Sequence, residues 1–160
     1  MSMSLISVLF LAAAATVGKT AKITSSTTYY DRKEGFAYFS GGVSVDDSEY
    51  QLHADRAYVF MDSTNELRRI VAIGNVAMTN GTKRAYGEKA TYYRNPGMVV
   101  LVSGEGRSAE VQDVADGGTR TVRGKKIKFW TENEQVEVVE AEISAPSGSG
   151  LGSLKGKLGR

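Results

Sequence analysis

The sequence predicts an all-β fold, an open β-jelly roll made of a folded-over stack of about ten antiparallel strands. Three observations predict it: apolar residues that recur at every second position, an internal repeat of roughly 30 residues, and turn dipeptides, namely Asn80-Gly81, Pro96-Gly97 and Asp116-Gly117. Helical periodicity is almost absent between Ile23 and Ile143. The length of 160 residues is that of one domain with a sizeable core.

The repeat consists of two kinds of block. A glycine block occurs as Phe39–Val45, as Ala72–Met78 and, more weakly, as Val102–Gly106. A second block follows each of them, as Leu52–Val59, Ala85–Tyr92 and Val122–Phe129. Stacked units of this kind each need their neighbours to bury an apolar face.

The spacing between the two blocks is constant in the first two repeats. It is 14 residues from Gly41 to Asp55 and from Gly74 to Glu88, but 21 from Gly104 to Lys125. We expect the seven extra residues in the turn-rich stretch Asp116-Gly117-Gly118.

The glycine blocks and the strands before them place their apolar residues on one phase, and alternate residues of a strand share a face. We expect the inward phase to hold Ala37, Phe39, Val43 and Val45 in the first repeat, Ile70, Ala72, Val76 and Met78 in the second, and Met98, Val100 and Val102 in the third. Ile73 and Leu101 are apolar residues on the opposite, mostly polar phase.

The second blocks change phase in the middle. Leu52 and Ala54 share one parity and Ala57 and Val59 the other, and the same slip recurs at Gly87-Glu88 and Gly124-Lys125. Such a slip reverses every later side chain unless a bulge or corner absorbs it. Three slips at equivalent places predict a bend where each strand wraps around the core.

The two ends of the chain differ from the repeats. Residues 1–20 contain an uncharged apolar run followed by alanines, which is typical of a secretory signal peptide; a buried first strand or a short uncleaved anchor are the alternatives. Residues 21–144 form the predicted β-domain. Residues 145–160 are rich in glycine, serine and lysine, and we expect a disordered tail.

The sequence offers little for catalysis, and we expect neither an enzyme nor a cofactor or metal site. It has no cysteine and a single histidine, His53, which excludes thiolate chemistry and a multi-histidine site. The net charge of +2 does not indicate a nucleic-acid partner, although Lys125, Lys126 and Lys128 lie near Phe129 and Trp130.

The repeated blocks resemble the OstA/LptA family of periplasmic lipopolysaccharide-transport proteins over about residues 23–143. The residues that carry the resemblance are Gly41-Gly-Val and Gly74-Asn-Val, followed 14 residues later by Asp55 and Glu88. The third repeat departs from this pattern, because Glu105, Gly106 and Lys125 replace the expected asparagine, valine and acidic residue.

The resemblance implies a periplasmic carrier that shields lipid A acyl chains in an apolar groove. It also implies contacts with LptC-like and LptD-like proteins through edge strands. Because an open stack leaves unpaired strand edges, we expect the two ends of the repeat array, 23–30 and 135–143, to associate head to tail. Cations flank the first edge and glutamates line the second: Lys22, Arg32 and Lys33, against Glu134, Glu137, Glu140 and Glu142. A membrane-anchored LptC-like component and a structural or adhesive β-stack that binds protein or glycan are the alternatives. The groove candidates are Phe39, Val43, Val45, Ile70, Ala72, Val76, Met78, Val100 and Val102.

Overall fold

A computed structural model describes residues 22–46, 51–64, 66–130 and 135–144. The predicted signal peptide at 1–20 and the predicted tail at 145–160 lie outside these ranges. Nothing helical in the described ranges is long and apolar enough to cross a membrane.

The described residues form one antiparallel sheet of twelve strands. In chain order the strands are β1 (Lys22–Thr24), β2 (Thr27–Asp31), β3 (Phe36–Asp46), β4 (Gln51–Met61), β5 (Leu67–Asn80), β6 (Lys83–Tyr93), β7 (Met98–Val102), β8 (Ala109–Ala115), β9 (Gly118–Gly124), β10 (Lys126–Trp130), β11 (Val136–Val139) and β12 (Glu142–Ser144). The turn dipeptides Asn80-Gly81 and Asp116-Gly117 connect β5 to β6 and β8 to β9, as predicted.

The sheet is folded into two arms that share the four long strands β3 to β6. The first arm adds β1, β8, β9 and β12 to one half of these strands, and the second arm adds β2, β7, β10 and β11 to the other half. For example, β3 pairs with β2 through Phe36–Ser40 and with β1 through Ser44–Asp46. The strand count exceeds the expected ten because the shorter passes of the chain are interrupted where the sheet bends.

The bend lies at the predicted phase slips. The register of the long strands shifts between Ser40 and Val43, between His53 and Arg56, and between Ile73 and Val76. These shifts confirm that a bulge absorbs the changes of phase at Asp55-Arg56 and Gly87-Glu88. At Gly124-Lys125 the strand is interrupted instead, between the end of β9 and the start of β10. In consequence the apolar residues on both sides of the bend face the same interior.

Gly74 and Asn75 show how the bend is built. Gly74 has a φ of 83° and Asn75 a φ of 47°, a region that L residues with a Cβ rarely adopt. A Cβ on Gly74 would overlap the carboxylate of Asp55 on the adjacent strand. The Asn75 side-chain amide donates a hydrogen bond of 3.1 Å to Asp55 Oδ2. The glycine of the second repeat, Gly74, thus lies against Asp55, the acidic residue that follows the glycine of the first repeat, Gly41, by 14 positions.

The third repeat is lengthened in two places, and the expectation of a single insertion was wrong. Val76 pairs with Gly87, and Ala109 pairs with Gly124 at the equivalent position. Measured against these pairs, three of the seven extra residues lie at the bend, in the irregular segment 103–108, and four lie in the β8–β9 hairpin. The bend tolerates the insertion because the chain leaves β7 there and resumes as β8 in the other arm.

The phase predicted for the third repeat was also wrong. Val99 and Leu101 are buried, at 4% and 0% exposure, whereas Val100 and Val102 are only partly buried. The register explains this, because Leu101 lies opposite the buried Ala90 and Ile127, and Val100 lies opposite Thr91 and Lys128 on the outer face.

Candidate functional site: an apolar groove between the arms

Three rows of side chains cross the inner face of the folded sheet, each perpendicular to the strands. Residues directly opposite one another in a ladder share a face, so the register identifies the members of each row. The first-arm row is Ile23, Val45, Leu52, Met78, Ala85, Val111, Val122 and Ile143.

The other two rows belong to the second arm. The second-arm row is Tyr30, Ala37, Val59, Ile70, Tyr92, Val99, Phe129 and Val136. The inner row, next to the bend, is Thr28, Phe39, Ala57, Ala72, Ala90, Leu101, Ile127 and Val138. Apart from Thr28, every side chain in these rows is apolar or aromatic. The apolar inner face therefore runs without interruption from β1 and β2 to β11 and β12, over roughly 35 Å at the usual strand spacing.

The inner face is filled at its N-terminal end. Ile23 and Val45 of the first arm and Tyr30 and Ile70 of the second arm pack against one buried cluster. That cluster is formed by Ala37, Phe39, Val43, Ala57, Val59 and Leu67. The two arms are thus joined there by a closed hydrophobic core.

Near the C-terminal end the inner face forms a cavity of about 300 Å³ that is partly open to solvent. Its walls come from both arms, with Met78, Val111 and Val122 on one side and Phe129 and Val136 on the other. Lys83 and Arg84, both exposed, also line it, at the start of β6. The cavity is therefore an apolar space with cations at its border, a combination suited to a ligand that has an acyl chain and an anionic group.

The structure separates the predicted groove residues into three sets. Phe39, Val43, Ala72 and Val76 are at most 5% exposed and belong to the buried clusters. The partly buried set lies in the arm rows and is Val45, Ile70 and Met78. Met78 is the one predicted residue that lines the cavity.

Val100 and Val102 form the third set, and their predicted inward orientation is corrected. Both lie on the outer phase of β7, and their inward neighbours are Val99 and Leu101. The prediction was wrong because all five residues of β7 are apolar, so alternation gives no phase there. The inward phase was assigned by spacing from Gly104, but β7 ends at Val102 and Gly104 lies in the irregular segment, where alternation no longer holds.

Most of the cavity residues are not among those predicted from the sequence. Val111, Val122, Phe129 and Val136 come from the third repeat and the strands after it, where the block pattern is weakest. A signal for them exists in the alternation of Ala109 with Val111 and of Ile127 with Phe129.

Both ends of the sheet are edges, as expected for 23–30 and 135–143. The strand order ends at β1 and β2 on one side and at β11 and β12 on the other. Of the large hydrophobic residues that are exposed in the described part of the chain, three lie on these edges: Tyr29 at 54%, Val136 at 49% and Val139 at 42%.

The edge residues of β11 can be assigned from its hydrogen bonds to β10. Trp130 N–H donates to Gln135 O at 3.0 Å, and Lys125 N–H donates to Val139 O at 2.9 Å. Because bonded pairs alternate in an antiparallel ladder, the odd-numbered residues of β11 face β10. Val136 and Val138 therefore direct their backbone N–H groups toward the free edge.

Comparison with known proteins agrees with this architecture. The profile of the family described as LptA/(LptD N-terminal domain) LPS transport protein matches residues 22–140. The chain belongs to this family. Among solved structures, it is similar to LptH of Pseudomonas aeruginosa, the LptA homologous periplasmic component of the conserved lipopolysaccharide transport device. The TM-score is 0.66 at 19% identity, and the match covers 78% of this chain and 94% of that one. No curated protein matches the sequence.

Proposed function

We propose that this chain is a periplasmic lipopolysaccharide-transport protein that shields lipid acyl chains on its inner face. The observation that carries the proposal is the uninterrupted apolar face that connects one edge of the sheet to the other. Membership of a lipopolysaccharide-transport family supports it. The face carries no inward charged residue in its three rows, so it offers apolar contact without a polar group that would hold the lipid in one place.

The volume of the cavity limits how many methylene groups of an acyl chain it can shield from water. At roughly 30 Å³ for each methylene-sized group, 300 Å³ accommodates about ten methylenes. Removing each methylene from water is worth about 0.8 kcal/mol. An acyl chain of this length would therefore gain at most about 8 kcal/mol before ordering costs, and less where the cavity is open to solvent. The cavity is therefore of a size for about one acyl chain.

Site-specific photo-cross-linking tests the inner face. A cross-linking residue at Met78 or Phe129 should capture lipopolysaccharide during export. The matched outer positions, Ala77 and Lys128, are one residue away on the same strands and should not. Equal capture on both phases would contradict an inner-face path.

We further propose that modules associate head to tail through the two edges, so that their apolar faces join. The edges differ in sequence, and contacts between two different surfaces propagate as a filament. The exposed Tyr29, Val136 and Val139 would be covered in such a contact. LptC-like and LptD-like partners would use the same edges.

Electrostatic attraction between the edges is weaker than the composition indicates. Glu137 lies 2.9 Å from Lys128, Glu140 lies 3.5 Å from Lys125, and Glu142 lies 4.0 Å from Arg123. These glutamates are partly neutralised within their own module. We therefore expect association to depend only modestly on salt.

A pair of substitutions at Val136 tests the edge contact. Val136→Pro removes a backbone N–H at the free edge. Val136→Thr retains that N–H and replaces valine by a side chain of similar shape. In sedimentation over a range of concentrations, the proline variant should remain monomeric and the threonine variant should assemble like the wild type. Val138→Pro should behave like Val136→Pro. Assembly by both proline variants would refute pairing through β11.

A further inference from the structure

A second cavity lies on the outer side of the bend, away from the groove. It measures about 700 Å³ and is open to solvent. Asn75, Ala77, Tyr86 and Glu88 line one side, and four residues of the irregular segment line the other: Gly104, Glu105, Arg107 and Ser108. Ala77 and Tyr86 lie opposite each other in the ladder, and their neighbours Met78 and Ala85 belong to the first-arm row on the inner face. The outer cleft is thus on the face opposite the proposed lipid path.

The insertion in the third repeat creates this cleft. In the first two repeats a single residue separates the glycine from the next inward side chain. In the third repeat four residues, Glu105, Gly106, Arg107 and Ser108, separate Gly104 from Ala109. Gly104 and Arg107 form an isolated antiparallel β-bridge, so the added segment turns back on itself. Small residues form much of the cleft surface, including Gly87 and Gly104.

Three charged side chains line the outer cleft. Glu88, Glu105 and Arg107 are exposed and form no ion pair with another described residue. Glu88 lies over Gly104, so close that a Cβ built there would be 3.1 Å from Glu88 Cβ. Glu110, opposite Tyr86, is already engaged, because Arg123 Nε donates to it at 2.6 Å.

Tyr86 adds an aromatic surface to these polar groups. Its side chain is 38% exposed, which is high for an aromatic residue within a strand. An exposed ring beside carboxylates, a guanidinium and a hydroxyl offers an apolar face for a sugar ring and several partners for its hydroxyl groups. An acyl chain would find less apolar surface here than in the groove cavity, because charged and polar side chains line the cleft beside Tyr86 and Ala77, and the inward Val76 is only 2% exposed.

The charged side chains of the outer cleft limit the class of ligand further. Two carboxylates and one guanidinium leave the outer cleft with one net negative charge, which disfavours phosphorylated or carboxylated sugars. A protonated amine would be attracted by Glu88 and Glu105. We propose that the outer cleft is a binding site for an amine-bearing sugar, with Tyr86 against the ring and the two glutamates on the ammonium group.

NMR titration of the full domain tests this assignment. The probes are a short glucosamine oligomer and its N-acetylated counterpart, which has the same rings without the charge. The glucosamine oligomer should shift backbone resonances of 75–77, 86–88 and 104–108. It should bind about fivefold more tightly than the N-acetylated oligomer, the difference expected for one exposed ion pair.

Three variants make the result decisive. Glu88→Gln with Glu105→Gln should abolish the preference for the amine, and Tyr86→Ala should weaken both oligomers. Glu34→Gln removes the same charge from an exposed turn at the far end of the second arm and should change nothing. Equal binding of the two oligomers to the wild type, or shifts spread over all acidic surfaces, would overturn the proposal. Neither result would affect the groove, which is tested with lipopolysaccharide.

Discussion

Replacement of Gly74 by alanine tests how the bend is held. Gly74 combines a φ of 83° with a close approach to the Asp55 carboxylate. Gly42 has nearly the same backbone conformation, with a φ of 81°, but a Cβ there would meet nothing within 4 Å. The two glycines therefore separate the cost of backbone conformation from the cost of crowding.

The expected magnitudes follow from these two contributions. Forcing an alanine into the left-handed region costs about 1–2 kcal/mol, which is the whole effect for Gly42→Ala. Gly74→Ala also displaces Asp55 and breaks its hydrogen bond from Asn75, which adds about 1 kcal/mol at this exposed position. We expect the free energy of unfolding to fall by about 2–3 kcal/mol, or roughly 10 °C in Tm.

Urea denaturation of four variants provides the measurement. Gly42→Ala, Gly74→Ala, Asp55→Ala and the Gly74→Ala/Asp55→Ala double variant complete a thermodynamic cycle. In the background of Asp55→Ala, the cost of Gly74→Ala should fall toward that of Gly42→Ala, because the overlap with the carboxylate is removed and only the Cβ of residue 55, 2.9 Å away, still crowds the new methyl group. Equal costs for the two glycines in the wild-type background would refute crowding by Asp55 as the reason for the glycine.

Three further predictions concern the core, the cavity and a turn. Leu101→Ala should lower the free energy of unfolding by about 3 kcal/mol, because Leu101 is fully buried, whereas Val100→Ala should cost under about 1 kcal/mol; equal costs in urea denaturation would contradict the corrected phase. Val122→Phe should fill the cavity and reduce lipopolysaccharide binding in a displacement assay, with the exposed Val114→Phe as the unaffected control. Asp62 accepts hydrogen bonds from the Thr64 hydroxyl and from the backbone N–H groups of Thr64 and Glu66, which hold the pKa of its carboxyl below the ordinary 3.8. Because the pKa is lowered in the folded state, the ionised Asp62 stabilises the fold above pH 3.8, and this stabilisation is lost as the carboxylate is protonated. The difference in urea midpoint between wild type and Asp62→Ala should therefore shrink as the pH falls below 3.8. A difference that is independent of pH would refute this.

The strand pattern could be predicted in detail where the chain alternates. Phe39, Val43, Ala72 and Val76 were assigned inward from spacing alone and are buried. The phase slips at Asp55-Arg56 and the glycine blocks predicted the bend, because a change of parity is visible in a sequence whenever polar and apolar residues alternate on both sides of it. The edges followed from the order of the repeats.

The third repeat shows where that reasoning ends. Met98–Val102 is apolar at every position, so its parity depends on the partners that β7 finds in β6 and β10. The site of an insertion is likewise invisible in a spacing of 21 residues, because only the pairing of Ala109 with Gly124 divides it between the bend and the hairpin.

By itself, the sequence determined the all-β class, the repeat, the bend and the apolar character of the inner face, since these depend on the order of neighbouring residues. The tertiary structure decided which residues of that face are closed core and which line a cavity. It also placed Tyr86, Glu88 and Glu105 around one outer cleft. These features depend on distances between residues far apart in the chain, and such distances are set only when the arms fold together and the inserted segment leaves the ladder.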